Sequence, residues 1–405
     1  MQAYTVFLSH IFLYGGDYMH IKDFRRGKYM DLITFVITVF GIAGLLISPS
    51  LTVNAAAGGI NVCLNVIVPT LFPFFVFSSL FISMGFAQKL GRKAEGLMRP
   101  LFHVGGPCAS VFILGLLSGF PVGAKTAVSL YKNGSCTKTE AERMLAFCNN
   151  AGPSFILGTV GIGIWNSTSA GWILWGAQAI ASIVTGIVFS RIWRNSEDDK
   201  FVPVKRDVVQ QHPSFMKAFT SSVKDGAVSI VYICAFIIFF AVVIAMLQGF
   251  GIIPAVAKGI CSVLPFDSSV VENILAGIFE MTTGLRMVGN AAPVIRNLTI
   301  TGAILGWAGI SVHCQVLTFV YEGGLSSVPY ICGKLLQTLF SSLLTLGLSS
   351  IFRIKDIGVF GNLTKVLQSP AFFSYKYLLF SIVAAVVLLC AAGLFIIFLI
   401  NRKNN

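Results

Sequence analysis

Charged residues are scarce in this sequence of 405 residues, of which 11% are charged and 55% are hydrophobic. Acidic residues are the rarer charged class, since 16 Asp and Glu stand against 29 Lys and Arg, for a formal net charge of +13. A mean hydropathy of +0.82 lies far from the balance of a soluble domain. The composition therefore excludes an ordinary soluble protein and indicates an integral membrane protein.

The sequence also lacks the motifs of several kinds of site. Its nine cysteines form no C-x-x-C pair and mostly lie in apolar runs, so neither a disulfide framework nor a metal site is expected. No H-E-x-x-H motif, Ser/His/Asp order or pair of aspartates occurs in the apolar runs, so we expect no enzyme and no cofactor. The basic residues are scattered through short loops, which favours orientation in the membrane over binding of nucleic acid.

Apolar runs long enough to cross a bilayer dominate the sequence, since a crossing helix needs about 17 to 25 residues. These runs cover 32–48, 66–87, 145–164, 171–189, 228–247, 299–320, 328–352 and 377–400. Two further apolar runs, 108–131 and 271–288, are interrupted by polar residues. We therefore predict an all-α polytopic membrane protein.

Loop charges predict how the chain crosses the membrane. Basic residues before the first run place the N-terminus in the cytoplasm, the uncharged linker 49–65 fits the outside, and the basic loop 191–224 belongs inside. A full crossing by 108–131 would put that basic loop outside. A re-entrant hairpin in 108–131, with its tip at 118–123, returns every loop to its expected side.

The predicted tip, SGFPVG, has the residues of an anion site. Pro121 lacks an N–H donor, and a half-helix that begins near Ala124 would direct free N–H groups and its positive dipole end toward the midplane. Lys125 would add a full positive charge. For this segment alone, a kinked ordinary span whose lysine reaches the interface is equally open. The expected substrate-binding residues of the tip are Ser118, Gly119, Gly123 and Lys125.

Three other apolar segments carry polar residues at a break or on one helical face. A single asparagine in a membrane helix usually joins helices, whereas several polar residues beside a Gly-Pro pair favour a ligand site. The additional candidates for substrate binding are Asn149, Asn150 and Ser154 in 147–158, Thr282, Thr283 and Arg286 in 279–288, and Ser311 and Gln315 in 306–316.

Glu280 is an acid inside an apolar segment and away from any loop. Because burial of an unpaired carboxylate is costly, this group must be paired, protonated or in contact with a water-filled cavity. It is a candidate for proton coupling. A structural ion pair with Arg286 or Lys125 is the alternative.

The polar segments form an internal repeat. Gly123-Ala124-Lys125 matches Gly284-Leu285-Arg286, and Asn150 and Ser311 each follow the matched cation at the same distance. Because the first unit begins outside and the second begins at the basic cytoplasmic loop, the two units are inverted. Inverted repeats with discontinuous helices are typical of secondary transporters.

The predicted organisation has six parts. They are an N-terminal cytoplasmic or interfacial segment (1–30), a first transmembrane helix (31–48), a first repeat (66–190), a basic cytoplasmic loop (191–227), a second repeat (228–352), and a linker with a C-terminal transmembrane helix (353–405).

Four stretches resemble the family of the sporulation integral membrane protein YlbJ, also called SpoVV, of endospore-forming bacteria. They are PTLFPFFVFSSL, GLLSGFPVGAKTAVSLY, FCNNAGPSFILGTVG and GISVHCQV, spread from about Pro69 to Gln315. That family carries the gate, or nucleoside-recognition, domain shared with concentrative nucleoside transporters and spore maturation proteins. The resemblance implies paired hairpins and broken helices. It also implies movement of dipicolinic acid from the mother cell across the outer forespore membrane.

The implied substrate fits the residues. Dipicolinate is a small planar aromatic dianion, to which cations, helix N-termini and amides offer charge and directed donors. The expected partners are a small organic anion, with dipicolinate first, and the lipid bilayer. A homo-oligomer stays open, and nucleic acid is not expected. The alternatives are a carrier of nucleosides or other small organic anions, and a sporulation scaffold that transports nothing.

Overall fold

The computed structural model describes residues 28–193, 214–263, 267–289 and 294–352, and all regular elements in these ranges are helices. The predicted C-terminal span 377–400 and most of the segment 1–30 lie outside the described residues. The α-helices are α1 (Lys28–Ile47), α2 (Pro49–Val62), α3 (Val68–Ser83), α4 (Phe86–Phe102), α5 (Cys108–Ser118), α6 (Val122–Lys132), α7 (Lys138–Leu145), α8 (Thr168–Ile192), α9 (Phe215–Gly249), α10 (Ile252–Cys261), α11 (Ser268–Phe279), α12 (Met281–Val288), α13 (Val294–Trp307), α14 (Ile310–Glu322) and α15 (Val328–Ile351), and two π-helices are π1 (Cys63–Ile67) and π2 (Ser154–Ile164).

The chain divides into two compact units, residues 1–52 and 53–405. The first unit contains α1, which covers the predicted first span. Within the described residues, four helical segments are long and apolar enough to cross a membrane, namely Thr168–Ile192, Phe215–Gly249, Val294–Glu322 (α13 and α14 together) and Val328–Ile351, and the bent pair Phe35–Ile47 and Pro49–Asn65 qualifies as a fifth. The protein is therefore an all-α polytopic membrane protein, as predicted.

The internal repeat is visible in the order of the helices. In each half a long helix is followed by a left-handed glycine and a short helix, then by a hairpin, a broken helix and a second long helix. The glycines Gly85 and Gly251 both have φ 74°. Three crossings lie between the starts of the two repeats, because the hairpin returns to its own side. The second repeat therefore begins on the opposite side, and the repeats are inverted.

The stretch that precedes the predicted first repeat is helical. Helices α2, π1 and α3 follow one another without interruption, so the uncharged stretch 49–65 is helical and not a linker. Helix α9 has 35 residues and begins at Phe215, inside the stretch 191–227 that was predicted as a loop. At about 1.5 Å per residue it exceeds a hydrocarbon core of about 30 Å. A helix satisfies its own backbone polar groups, so it can continue beyond the apolar run.

Residues 108–131 form a hairpin and not a kinked span. The arms α5 and α6 have 11 residues each, about half the length that a crossing requires. The N–H of Gly105, before the first arm, donates to Glu140 Oε1, after the second arm, at 2.7 Å. Entry and exit therefore lie on the same side. Residues 268–288 form the matching second hairpin, with Glu280 alone between α11 and α12.

Both predicted spans that contain polar breaks are interrupted helices. In the first repeat the helix stops at Leu145 and resumes in π2, and in the second the break is at Ala308 and Gly309, with φ 77° and 85°. Each hairpin tip touches the break of its own repeat. A Cβ atom added at Gly152 would lie 3.2 Å from the Ser118 carbonyl oxygen, and one added at Gly309 would lie 2.9 Å from the Met281 nitrogen.

Candidate functional site

The two hairpin tips and the two helix breaks line a partly open cavity of about 50 Å³. We call the tips tip 1 (119–121) and tip 2 (Glu280), and the interruptions break 1 (146–152) and break 2 (308–309). Aliphatic side chains of the long helices that begin each repeat border the cavity. Its lining consists of Ser118 from α5, Gly119 and Phe120 from tip 1, Ala151 and Gly152 from break 1, Phe155 from π2, Glu280 from tip 2, Met281 and Thr282 from α12, Ser311, Val312 and Gln315 from α14, and Ile67, Leu71, Ile233 and Ile237. This volume holds a few water molecules. An aromatic ring would require the cavity to widen.

Six of the residues predicted from the sequence meet in this lining. They are Ser118, Gly119, Glu280, Thr282, Ser311 and Gln315. Ser311 and Gln315 lie on one face of α14, as their four-residue spacing predicts. The cavity thus joins polar groups that are far apart in sequence and come from both repeats.

Glu280 caps α12 with its own carboxylate. Its side chain is buried, and it accepts the backbone N–H of Thr282 on Oε1 at 2.8 Å and that of Thr283 on Oε2 at 2.6 Å. Neither ion pair considered from the sequence, with Arg286 or with Lys125, is formed. Two charge-assisted hydrogen bonds and the positive end of the helix offset the cost of burying the carboxylate.

The N-terminus of α6 is capped differently. The N–H of Ala124, which the sequence suggested as a free donor, donates to Asn149 Oδ1 at 2.8 Å. The N–H of Val122 turns back to the Gly119 carbonyl at 3.0 Å. A neutral carboxamide from break 1 therefore occupies the place that a carboxylate takes at α12.

The N-terminus of α14 presents an unused donor to the cavity. Ser311 is 1% exposed, and its hydroxyl has no hydrogen-bond partner among the described residues. An unsatisfied buried hydroxyl costs about 1 to 3 kcal/mol. It lies in the first turn of a 13-residue helix, whose positive end faces the same cavity. These groups fit a bound anion or another acceptor.

The two predicted cations do not reach the cavity. Lys125 and Arg286 are exposed, because the neighbouring positions of their helices form the buried face. Gly123 is buried where a Cβ atom would overlap the carbonyl oxygen of Cys148. Ser154 is half-buried at the start of π2 and does not line the cavity. Spacing along the sequence matched the cations between repeats, but it did not show which face of each helix they occupy.

A buried cation that the sequence analysis missed lies directly behind tip 1. Lys334 in α15 is fully buried, and its Nζ donates to the Asn149 carbonyl at 3.0 Å and to Gln337 Oε1 at 2.8 Å. The same Nζ lies 5.0 Å from the ring centroid of Phe120, which lines the cavity. Among the described residues, no carboxylate forms an ion pair with Lys334.

Asn150 and Gln337 continue this polar network between helices. The Gln337 amide donates to Asn150 Oδ1, and the Asn150 amide donates to Ser182 Oγ at 3.2 Å. Ser341 Oγ donates to Gln178 Oε1 at 3.2 Å, which joins α15 to α8. Asn149 and Asn150 therefore lie behind the lining and support it.

A periodic signal could have located Lys334. Polar residues spaced three or four positions apart along α15 form a buried face, whereas several leucines lie on the exposed face. The buried set is Lys334, Gln337, Ser341, Thr345 and Ser349. This reversed amphipathic pattern is typical of a membrane helix whose polar face meets the protein interior.

Two inverted repeats whose hairpin tips and helix breaks line a cavity define a polytopic membrane protein, and residues 64–189 match the family model described as "Gate: Nucleoside recognition". The chain is also similar to the sporulation integral membrane protein YlbJ of Bacillus subtilis (strain 168), with 28% identity over 400 residues, which cover 93% of this chain and 98% of that protein. These findings confirm the resemblance seen in the sequence. No solved structure matches the chain.

Proposed function

We propose that this protein is a secondary transporter of a small planar organic anion. The observation that carries the proposal is the meeting of both hairpin tips and both helix breaks around one cavity. Interrupted helices cost backbone hydrogen bonds in a membrane and are tolerated where they line a cavity. In inverted repeats, rocking of one repeat against the other would expose such a cavity to each side in turn.

The lining favours an aromatic carboxylate. Phe120 and Phe155 offer two rings against which a planar ring can pack. The N-terminus of α14 and the Ser311 hydroxyl offer donors to a carboxylate. Lys334 adds a positive charge directly behind Phe120, where the surroundings screen it little.

Dipicolinate is the substrate that we favour, carried from the mother cell across the outer forespore membrane. It is planar, aromatic and doubly carboxylated, which matches the rings and donors of the cavity. The relative from Bacillus subtilis is named as a sporulation integral membrane protein. If this chain shares that role, the expected location is a membrane around the forespore.

A proton on Glu280 would balance part of the substrate's charge. The lining contains one carboxylate and no lysine or arginine, so an ionised Glu280 would repel a dianion. Protonation from the side of higher proton concentration would remove this repulsion, and release of the proton would favour release of the substrate. Substrate and proton would then move together.

A nucleoside-like neutral substrate is the second candidate. The same lack of lysine and arginine in the lining favours it, and Glu280, Ser311 and Gln315 are suited to hydroxyl groups. The matched family model is described as nucleoside recognition. A sporulation scaffold would use none of these groups.

Uptake by purified protein in liposomes distinguishes these functions. We expect uptake of labelled dipicolinate that increases with an inward proton gradient and that excess unlabelled dipicolinate blocks. Uptake of a labelled nucleoside, with no uptake of dipicolinate, would favour the second candidate. The absence of uptake for both would favour a scaffold. The controls are liposomes without protein and liposomes with the Gly333→Val variant, which we expect to be misassembled.

A further inference from the structure

The unwound segment after α7 is held tightly from two sides. On one side are the arms of hairpin 1, where a Cβ atom added at Gly115 or Gly123 would overlap the carbonyl oxygen of Cys148. On the other side is α15, where a Cβ atom added at Gly333 would overlap the carbonyl oxygen of Ala146. Gly333 thus allows the backbone of α15 to contact break 1, and this contact brings the side chain of the next residue, Lys334, to the break.

This break has carbonyl groups that a continued helix would otherwise satisfy. The carbonyls of Arg143 and Met144 at the end of α7 accept N–H groups from just beyond the helix, whereas the Asn149 carbonyl lies past the negative dipole end of α7 and is bonded by a side chain from another helix. Such a position favours a cation, and unwound carbonyls in membrane proteins coordinate cations. Lys334 Nζ supplies one here, with the Asn149 carbonyl and Gln337 Oε1 as its two acceptors.

Asn149 transmits the effect of Lys334 to the cavity. Its carbonyl accepts from Lys334, and its side chain accepts from the Ala124 N–H in the first turn of α6. The three residues before α6, Gly119 to Pro121, form tip 1, and Phe120 lines the cavity. The position of tip 1 therefore depends on where the ammonium group holds Asn149.

We propose that the Lys334 ammonium group is a permanent part of break 1 that holds break 1 and tip 1 in position, so that this break needs no free metal ion. Removal of the lysine side chain would then leave a site for a monovalent cation. Lys334 is thus a positioning residue, acting on the cavity through Asn149. The proposal deepens the proposed function, because it concerns the same transport site. Its main test does not require transport.

The main test is the thermal unfolding of purified Lys334→Ala in detergent. We expect a midpoint several degrees below that of the wild type in choline chloride, and a saturable rise when methylammonium or sodium replaces choline, because a ligand of the folded state stabilises it. The wild type and Lys258→Ala, which removes an exposed lysine of α10, should show no difference between these cations. Lys334→Met, whose side chain fills the space without charge, should be destabilised and should not be rescued.

Two results of the unfolding test would overturn the proposal. One is an unfolding midpoint of Lys334→Ala that no small cation raises, and the other is a midpoint of this variant in choline chloride equal to that of the wild type. If Lys334→Ala does not fold, the Lys334→Arg variant tests the proposal instead. Because arginine keeps the positive charge, the unfolding midpoint of this variant should stay near that of the wild type. A large fall of its midpoint would contradict the proposal. Uptake by the wild type in liposomes should be equal in sodium and choline. Sodium-dependent uptake by the wild type would overturn the proposal, whereas no uptake at all would count against the transport function and leave the unfolding test decisive.

Discussion

The two hairpin tips share one architecture and differ in chemistry. Tip 2 is a single residue, Glu280, whose carboxylate caps α12. Tip 1 has three uncharged residues, and α6 is capped by the neutral amide of Asn149, which Lys334 holds from behind. An acid therefore lies at one tip and a base behind the other. The two repeats have matching geometry, but single residues give the first an aromatic surface with a lysine behind it and the second a buried carboxylate.

The breaks differ in the same way. Break 1 is bonded to side chains of α8 and α15 through Asn149 and Asn150. Beside break 2, His313 shares a hydrogen bond of 2.8 Å with Tyr330, while the Ser311 hydroxyl has no partner among the described residues. A satisfied network is rigid, and an unsatisfied donor is available to a ligand. Break 1 is therefore the more rigid of the two, and under the proposed function the Ser311 hydroxyl beside break 2 is a donor that remains available to the substrate.

The largest effect should follow from a side chain at Gly333. A Cβ atom there would overlap a backbone carbonyl oxygen that cannot move without the whole break, so we expect Gly333→Val to lose more than about 3 kcal/mol of stability. The amount of monodisperse protein in detergent measures this. Gly347→Val is the control in the same helix, because nothing lies within 4 Å of a Cβ atom at that position. Equal yields of both variants would contradict a tightly held break 1.

Much of this contrast was readable from the sequence, and part of it was not. Loop charge, Gly-Pro pairs and repeated spacing predicted both hairpins, both breaks and six residues of the lining. Spacing could not show that Lys125 and Arg286 face away, because their rotation about the helix axis depends on packing. It also could not reveal the role of Lys334, since a lysine near the end of a span is ordinarily interfacial. Only the regular spacing of polar residues along α15 could have indicated that Lys334 lies on a buried face.

The next largest effect concerns the acid at tip 2. If Glu280 couples proton and substrate, Glu280→Gln should bind dipicolinate but lose the response of uptake to a proton gradient. Loss of the charge also weakens the cap of α12, at about 1 to 2 kcal/mol. Dipicolinate flux against pH, in liposomes with equal amounts of wild-type and variant protein, measures the coupling. Identical pH profiles would rule it out and leave Glu280 as a cap alone.

Ser311→Ala should separate binding from stability at break 2. Because the hydroxyl has no partner in the protein, its removal should leave the unfolding midpoint unchanged or slightly raised. Affinity for the substrate should fall about tenfold, the value of one hydrogen bond to a charged group. Ser341→Ala is the matched control, since this hydroxyl donates to Gln178 and its loss should lower stability without the same effect on affinity. A stability loss in Ser311→Ala with unchanged affinity would reverse the roles of the two breaks.

The smallest effect is expected for the exposed cations, and it tests the sequence-based hypothesis directly. Lys125 and Arg286 occupy equivalent positions of the two hairpins, and that symmetry made them candidates for substrate binding. Their exposed position removes them from the cavity, so Lys125→Gln and Arg286→Gln should each change dipicolinate uptake less than about twofold, the scale of a surface charge. Lys334→Gln, with the same change of charge at a buried position, should reduce uptake far more. Abolished uptake in the two exposed variants, at normal protein levels, would show that these cations approach the substrate in another state of the transport cycle, and the site would then be symmetric after all.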